Sequence, residues 1–369
     1  MKISVITRHS PSNYGSLLQT IATQKILEKA GHQVRIMDYV RRDETGIKGV
    51  LIQLRRKEKW NKNPIKRLIY IMLRYPSEKI AEVKFSSMQR KYLSLTKRYT
   101  TCKELEEYAE SSDSEIYMTG SDQVWGRVAD KNYDPAYFLN FVPEGHKKIS
   151  YAASFGKTAL NEQALNEQKP FLLRYDYITV REESAVKILE QLNIPCLGQV
   201  LDPTLLLTPE EWETMTAKNR KERYILVYQI HNNPEFGKYA KAFAKSTTLP
   251  LYRVSPSLHQ IKRGGKLIYL PDIERFLSFI KGAEYIITDS FHGTAFAINF
   301  NKQFIEILTD KQTETRNISL LKLIGLENRI IKDYNDFSIK DRPINYEPVN
   351  SIIKKARETS IEALKQMMI

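Results

Sequence analysis

Four short stretches of the chain put reactive side chains where the backbone must turn. His292 stands in Asp289-Ser290-Phe291-His292-Gly293, between the apolar run Tyr285-Ile286-Ile287 and the small-and-large alternation of residues 294–300. The first reads as a buried parallel strand and the second as a helix packed on a sheet. Asp289 and Ser290 can cap that helix, and Gly293 lets the backbone turn closely. Histidine is the side chain whose ordinary pKa lies nearest neutrality, so at such a junction it can give and take a proton. Arg181 opens Arg181-Glu182-Glu183-Ser184 after the strand pattern of residues 177–180, and its planar fork suits a carboxylate or a phosphate. Asp122 lies in Gly120-Ser121-Asp122-Gln123-Val124-Trp125, presenting a carboxylate and an amide at a strand's tip. Asn13 and the N–H groups near Gly15 offer a modest polar-ligand site in the loop that follows the first strand. The chemistry these types can do is anion binding coupled to proton transfer. Plainer uses exist: His292 as a cap or core residue, Arg181 in a surface ion pair with Glu182 or Glu183, Asp122 in an Asx turn. Position favours chemistry, because open α/β sheets bind ligands outside the carboxyl ends of their strands and helix N-termini attract anions.

The elements that must position these groups follow a repeating strand–turn–helix pattern. Residues 2–7 read as a strand, 16–30 as a helix stopped by Gly31, and 33–38 as a second strand, a β-α-β unit that crosses over right-handedly. The first loop holds one glycine rather than the G-x-G-x-x-G fingerprint, so a dinucleotide is not indicated. Residues 64–75 read as a helix with Pro64 in its first turn and Pro76 at its end. Strands follow at 115–118, 148–153, 177–180 and 196–200, with a helix over 184–192. Asn13, Asp122, Ser154 and Arg181, each at a strand tip, are expected on one rim. The helical, charged stretch 208–223 marks a boundary. A second repeat then places strands at 224–230, 249–254, 285–287 and 303–307, helices at 235–246, 272–282 and 317–324, and terminal helices in 348–369. The pattern predicts an α/β chain of two Rossmann-like doubly wound domains facing each other across a cleft. Their limits are expected at 1–205, with a basic helical segment over 41–99, and at 206–345, followed by a C-terminal helix over 346–369.

Composition frames these expectations. A chain of 369 residues with 42% apolar and 27% charged side chains is long enough for two ordinary globular domains. Cys102 and Cys196 stand far apart, giving neither a disulfide framework nor metal-ligand spacing, which fits a reducing compartment and no metal. The chain opens on a strand rather than a signal peptide and has no apolar run near the ~20 residues a membrane span needs. A cytoplasmic location is the expectation. Of the net charge of +14, residues 41–99 carry +12, from 17 Lys and Arg against 5 Asp and Glu. Such a block suits phosphates in nucleic acid, lipid head groups or small substrates, or simply a solvated helical surface. No nucleic-acid module and no aromatic stacking ladder accompany it, so no specific nucleic acid is expected. The wide apolar face and cationic flanks of 64–75 are compatible with peripheral contact with an anionic membrane, packing on the domain being the plainer use.

With these motifs in hand the sequence resembles the polysaccharide pyruvyl transferases, whose fold is similar to the two-Rossmann GT-B glycosyltransferases. The resemblance runs through most of the chain on Asn13-Tyr14-Gly15 with Leu18-Gln19, Gly120 to Trp125, Val180 to Ser184, Leu201-Asp202-Pro203-Thr204 and Asp289 to Gly293. Each is weak alone; five in order are specific. The resemblance implies transfer of a pyruvyl group from phosphoenolpyruvate, as co-substrate and with no cofactor, to a sugar or lipid-linked glycan acceptor. His292 would be the acid/base, with Asp122 as its catalytic companion on the acceptor side. The donor would meet Arg181, Ser290 and Gly293, and the acceptor Asn13, Gly15, Gln19, Ser121 and Gln123. Better-studied members carry an arginine two residues before the histidine, where this chain has Ser290; Arg181, Lys302 or Arg316 would then supply the cation. A nucleotide-sugar glycosyltransferase is the alternative. It would need a carboxylate for ribose hydroxyls late in the chain, for which Glu306 and Glu314 are the candidates.

Overall fold

The computed structural model describes all residues but 56, 129–131, 218–221 and 309–314. Glu314 falls outside the described residues. The chain forms two compact units. The first comprises residues 1–155, 159–180 and 185–198, and the second residues 156–158, 181–184 and 199–369. Arg181 to Ser184 therefore belong to the second unit although they follow a strand of the first. The terminal helix, Tyr346–Met368, is part of the second unit.

The first unit is built on six parallel strands: β1 (Lys2–Ile6), β2 (Gln33–Tyr39), β3 (Leu95–Tyr99), β4 (Ile116–Thr119), β5 (Lys147–Ala153) and β6 (Tyr177–Val180). Their order is β3-β2-β1-β4-β5-β6, the doubly wound arrangement. β4 is buried along its whole length and β5 nearly so, as strands covered by helices on both faces must be. The second unit repeats the design with β7 (Ile225–Tyr228), β8 (Leu251–Ser255), β9 (Lys266–Tyr269), β10 (Tyr285–Thr288) and β11 (Gln303–Glu306) in the order β11-β10-β7-β8-β9, again all parallel. Strand order reverses between β1 and β4 and between β7 and β10, so each sheet has a switch point where its crevice opens. The first core gathers Trp125, Tyr137, Phe138 and Phe155 around the β4–β5 side, and the second packs Phe236, Tyr239 and Phe243 on Ile287 and Ile305.

Several of the described elements depart from expectation. β3 and β9 are edge strands that the sequence does not announce. β3 is Leu-Thr-Lys-Arg-Tyr with only Tyr99 buried, so its charged composition hides it. Residues 196–200 are not a sheet strand; the Leu197 N–H and the Gly198 carbonyl only bond along the edge of β6, to Ile178 and Val180. The helix expected to stop at Pro76 runs Pro64–Tyr92. Pro76 removes one backbone donor, but beyond it Ala81, Phe85 and Met88 are buried, and that packing outweighs a local cost of about 3 kcal/mol. No described helix is long and apolar enough to cross a membrane.

Candidate functional site

In the second unit β10 ends at Thr288, and the helix Phe291–Asn299 starts three residues later. Ser290 is the N-cap: its hydroxyl accepts from the Gly293 N–H at 3.4 Å. Thr288 ties the turn by donating its hydroxyl to the Tyr228 carbonyl at 2.8 Å and accepting the Ser290 N–H at 3.0 Å. A Cβ on Gly293 would lie 2.3 Å from the Thr288 hydroxyl oxygen, so glycine is what allows the helix start to press on the strand. Asp289 does not cap. Its carboxylate crosses the switch point and accepts the backbone N–H groups of Ile230 at 2.7 Å and His231 at 3.0 Å.

This turn presents Phe291 and His292, and three further residues meet them. The Arg181 guanidinium lies 4.7 Å from the centre of the Phe291 ring and that of Arg316 at 6.0 Å. Arg181 donates through Nη1 to Asp202 Oδ2 at 2.8 Å, and His292 Nε2 stands 3.8 Å from the same oxygen. The other Asp202 oxygen accepts the Thr204 N–H at 3.0 Å and its hydroxyl at 2.7 Å, which caps the short helix Pro203–Leu206. Burial opposes ionisation of Asp202, but His292, Arg181 and Thr204 together hold its carboxyl below the ordinary range. The Arg181–Asp202 pair is almost wholly inaccessible, so Arg181 is no surface ion pair. Beside it opens a cavity of about 350 Å³ lined by Arg181, Asp202 and Phe291, with Leu205, Leu320 and Lys355 on its walls.

Lys302 stands apart from this group. It precedes β11, at the amino edge of the sheet, with Lys281 and Glu284 as its charged neighbours, whereas His292 follows the carboxyl end of β10. That placement keeps Lys302 out of the group around Phe291. Glu306, offered as a ribose ligand, is fully buried; it accepts from Asn317 at 2.5 Å and from the Thr294 hydroxyl, so it braces the helix from beneath.

The first unit brings its candidates together at the β1–β4 switch point. Asn13 caps the helix Tyr14–Lys29, its amide oxygen accepting the N–H groups of Gly15 at 2.8 Å and Ser16 at 3.4 Å. Gln19 is fully buried and donates to the Thr7 hydroxyl at 2.9 Å, while Thr7 donates to the Ser121 carbonyl at 2.6 Å. Asp122 accepts from the Ser16 hydroxyl at 2.8 Å and from the Gln123 N–H at 2.8 Å. Its φ of 84° is left-handed, a conformation that a non-glycine residue holds only when its surroundings fix it. These eight residues form one polar network around a strained turn.

Asp202 is not announced by the sequence, where Leu201-Asp202-Pro203-Thr204 only breaks the strand pattern. Two histidine–aspartate contacts were also missed: His9 Nε2 to Asp38 at 3.1 Å, fully buried in the first unit, and His231 Nδ1 to Asp289 at 3.4 Å in the second. Both join residues distant in sequence, so no local spacing reveals them. Among the described residues no three His, Cys, Asp or Glu side chains gather as metal ligands.

The second sheet thus offers two guanidinium groups at a helix N-terminus, and a histidine beside a buried carboxylate. Comparison with solved structures supplies the fold. A UDP-N-acetylglucosamine 2-epimerase from Neisseria meningitidis bound to UDP-GlcNAc is 13% identical with a TM-score of 0.54, covering 99% of this chain and 100% of its own. The UDP-N-acetylglucosamine 2-epimerase of Rickettsia bellii is 11% identical, with a TM-score of 0.52 over 100% of this chain and 96% of its own. An alpha-glucosyltransferase in complex with UDP and DNA, 11% identical, has a TM-score of 0.51 over 99% of this chain and 95% of its own. At these identities the likeness establishes a GT-B-like fold of two parallel-sheet α/β domains. No curated protein sequence matches the chain. The sequence matches the polysaccharide pyruvyl transferase family over residues 13–311, far more than half its length, and the chain belongs to that family of transferases.

Proposed function

We propose that the protein transfers a pyruvyl group from phosphoenolpyruvate to a hydroxyl pair of a sugar in a cell-surface polysaccharide or its lipid-linked precursor, in the cytoplasm. The observation that carries this reading is the pair of guanidinium groups, Arg181 and Arg316, flanking Phe291 at a helix start, with His292 next to it. Phosphoenolpyruvate carries a carboxylate and a phosphate, and two guanidinium forks with a helix N-terminus suit such a dianionic molecule. Arg316 stands in for the cation that Ser290 lacks.

The reaction begins with a proton delivered from His292 to the methylene carbon, which leaves C2 electron-poor. One sugar hydroxyl adds to C2 and loses its proton; the C2–O bond to phosphate breaks and inorganic phosphate departs. The second hydroxyl then closes on C2, losing its proton, and a ketal with a new methyl group results. Asp202 keeps a negative charge beside His292 and supports its cationic form before it gives up the proton. The network of Asn13, Gly15, Gln19, Ser121, Asp122 and Gln123 is assigned to the acceptor, with Asp122 as its carboxylate.

A thermal-shift comparison tests the donor. Phosphoenolpyruvate at about 100 times its Kd should stabilise the protein by about 2.7 kcal/mol and raise the midpoint measurably, while nucleotide sugars should not. A shift with UDP-sugars and none with phosphoenolpyruvate would replace this reading with a nucleotide-sugar glycosyltransferase.

A further inference from the structure

The helix Pro64–Tyr92 is apolar on two faces. Tyr70, Ala81, Phe85 and Met88 are buried against the first unit. On the opposite side Ile65, Leu68, Ile69, Met72, Leu73, Ile80 and Val83 recur at three- and four-residue spacing and are exposed; Ile65 and Leu73 are each 71% exposed and Met72 66%. Such a continuous stripe is uncommon on an unpartnered surface. Where the stripe reaches Val83 it meets a cavity of about 410 Å³, which Val83 helps to line. Ser10, Val40 and Thr100 put that cavity at the carboxyl ends of β1, β2 and β3, the side of an open sheet that takes ligands. Four of its lining side chains are cations, Arg42, Lys79, Arg90 and Arg98, against the single carboxylate of Glu82. Arg42 donates to the Thr100 hydroxyl and Arg90 to the Ser86 carbonyl, so two of the four bond to neutral oxygens.

We propose that this face docks on an anionic lipid bilayer, the apolar stripe entering the boundary between headgroups and acyl chains while the adjoining cationic pocket takes a lipid phosphate ester. An apolar helix face bordered by Lys and Arg is the form that binds such an interface. Charge selects this occupant over a second copy of the chain. The cavity beside the stripe has four cations in its lining against one carboxylate, so two such faces would repel, whereas anionic headgroups neutralise them. The inference does not depend on the reaction proposed above.

The test is co-sedimentation of the full chain with phosphatidylcholine vesicles, with and without phosphatidylglycerol, at low salt. The protein should partition onto the anionic vesicles and release as salt rises. Leu68→Ser/Leu73→Ser, changed where the side chains face solvent, should fold with an unaltered thermal midpoint and lose most of the partitioning. Arg42→Gln/Arg90→Gln should weaken it about thirty-fold, the effect of two charges near an anionic surface. Equal binding to neutral vesicles, or wild-type partitioning by either variant, overturns the proposal. So does calorimetric binding of inorganic pyrophosphate without vesicle binding, which would give the pocket to a soluble phosphate. A dimer in solution that Leu68→Ser/Leu73→Ser dissociates, again without vesicle binding, would give the stripe to a second copy.

Discussion

His292 Nε2 stands 3.8 Å from Oδ2 of Asp202, the same oxygen that Arg181 grips at 2.8 Å. One buried carboxylate therefore holds both the group assigned to proton transfer and a group assigned to the donor. Asp202→Asn keeps the shape and removes the charge. It removes the closer of two buried carboxylates from Arg181 and leaves Glu182 at 3.9 Å, which should cost about 3 kcal/mol of stability in urea unfolding. Turnover should fall further than folding alone explains, because His292 loses the charge that supports its protonated form.

The lowered pKa of Asp202 has a sign that can be read in acid. A carboxyl group depressed in the folded state stabilises the protein fully above its unfolded pKa, and this contribution is lost as pH falls through the folded value. The thermal midpoint of the wild type should therefore drop as pH falls below the ordinary aspartate range. Asp202→Asn should show a shallower drop over that interval, and parallel curves would mean that Asp202 has the same pKa folded and unfolded.

The cations separate by place. Arg181→Lys swaps a planar fork for a point charge and should raise the KM for phosphoenolpyruvate and lower kcat together. Arg316→Gln should raise that KM about tenfold, the loss of one exposed-to-half-buried charge contact. Lys302→Gln, at the amino edge of the second sheet, should leave both constants within twofold. Steady-state kinetics of the three variants decide this, and a Lys302 variant as impaired as Arg316→Gln would move the donor away from Phe291.

Gly293→Ala tests the turn itself. The new methyl group would meet the Thr288 hydroxyl oxygen at 2.3 Å and the Tyr228 ring at 3.1 Å, so the helix start must shift. Overpacking of this kind costs about 1–3 kcal/mol. Chemical unfolding should show that loss, and activity should drop with it because Phe291 and His292 move together.

Much of this arrangement was legible in the sequence because its signals are local. Strand, turn and helix follow one another around His292 with an N-cap serine and a close-approach glycine, and both α/β repeats carry the same punctuation. What was not legible is long-range. Asp202 meets Arg181 across 21 residues and His292 across 90, and before Pro203 it looks like a cap, which it also is. β3 was hidden because an edge strand needs little apolar sequence, and Pro76 misled because tertiary burial of Phe85 and Met88 overrode a local helix breaker. Ser290 at the helix start was legible as a residue without charge, but only the ring of Phe291 identified Arg316 as a nearby cation and left Lys302 out.

The most direct measurement is the turnover of His292→Asn with phosphoenolpyruvate and a sugar acceptor. Asparagine keeps polarity and approximate size near a helix start, so folding and donor affinity should stay close to wild type. It cannot exchange a proton near neutral pH, so kcat should fall about a hundredfold or more. Turnover at the wild-type rate would make His292 a structural residue and contradict the account at its centre.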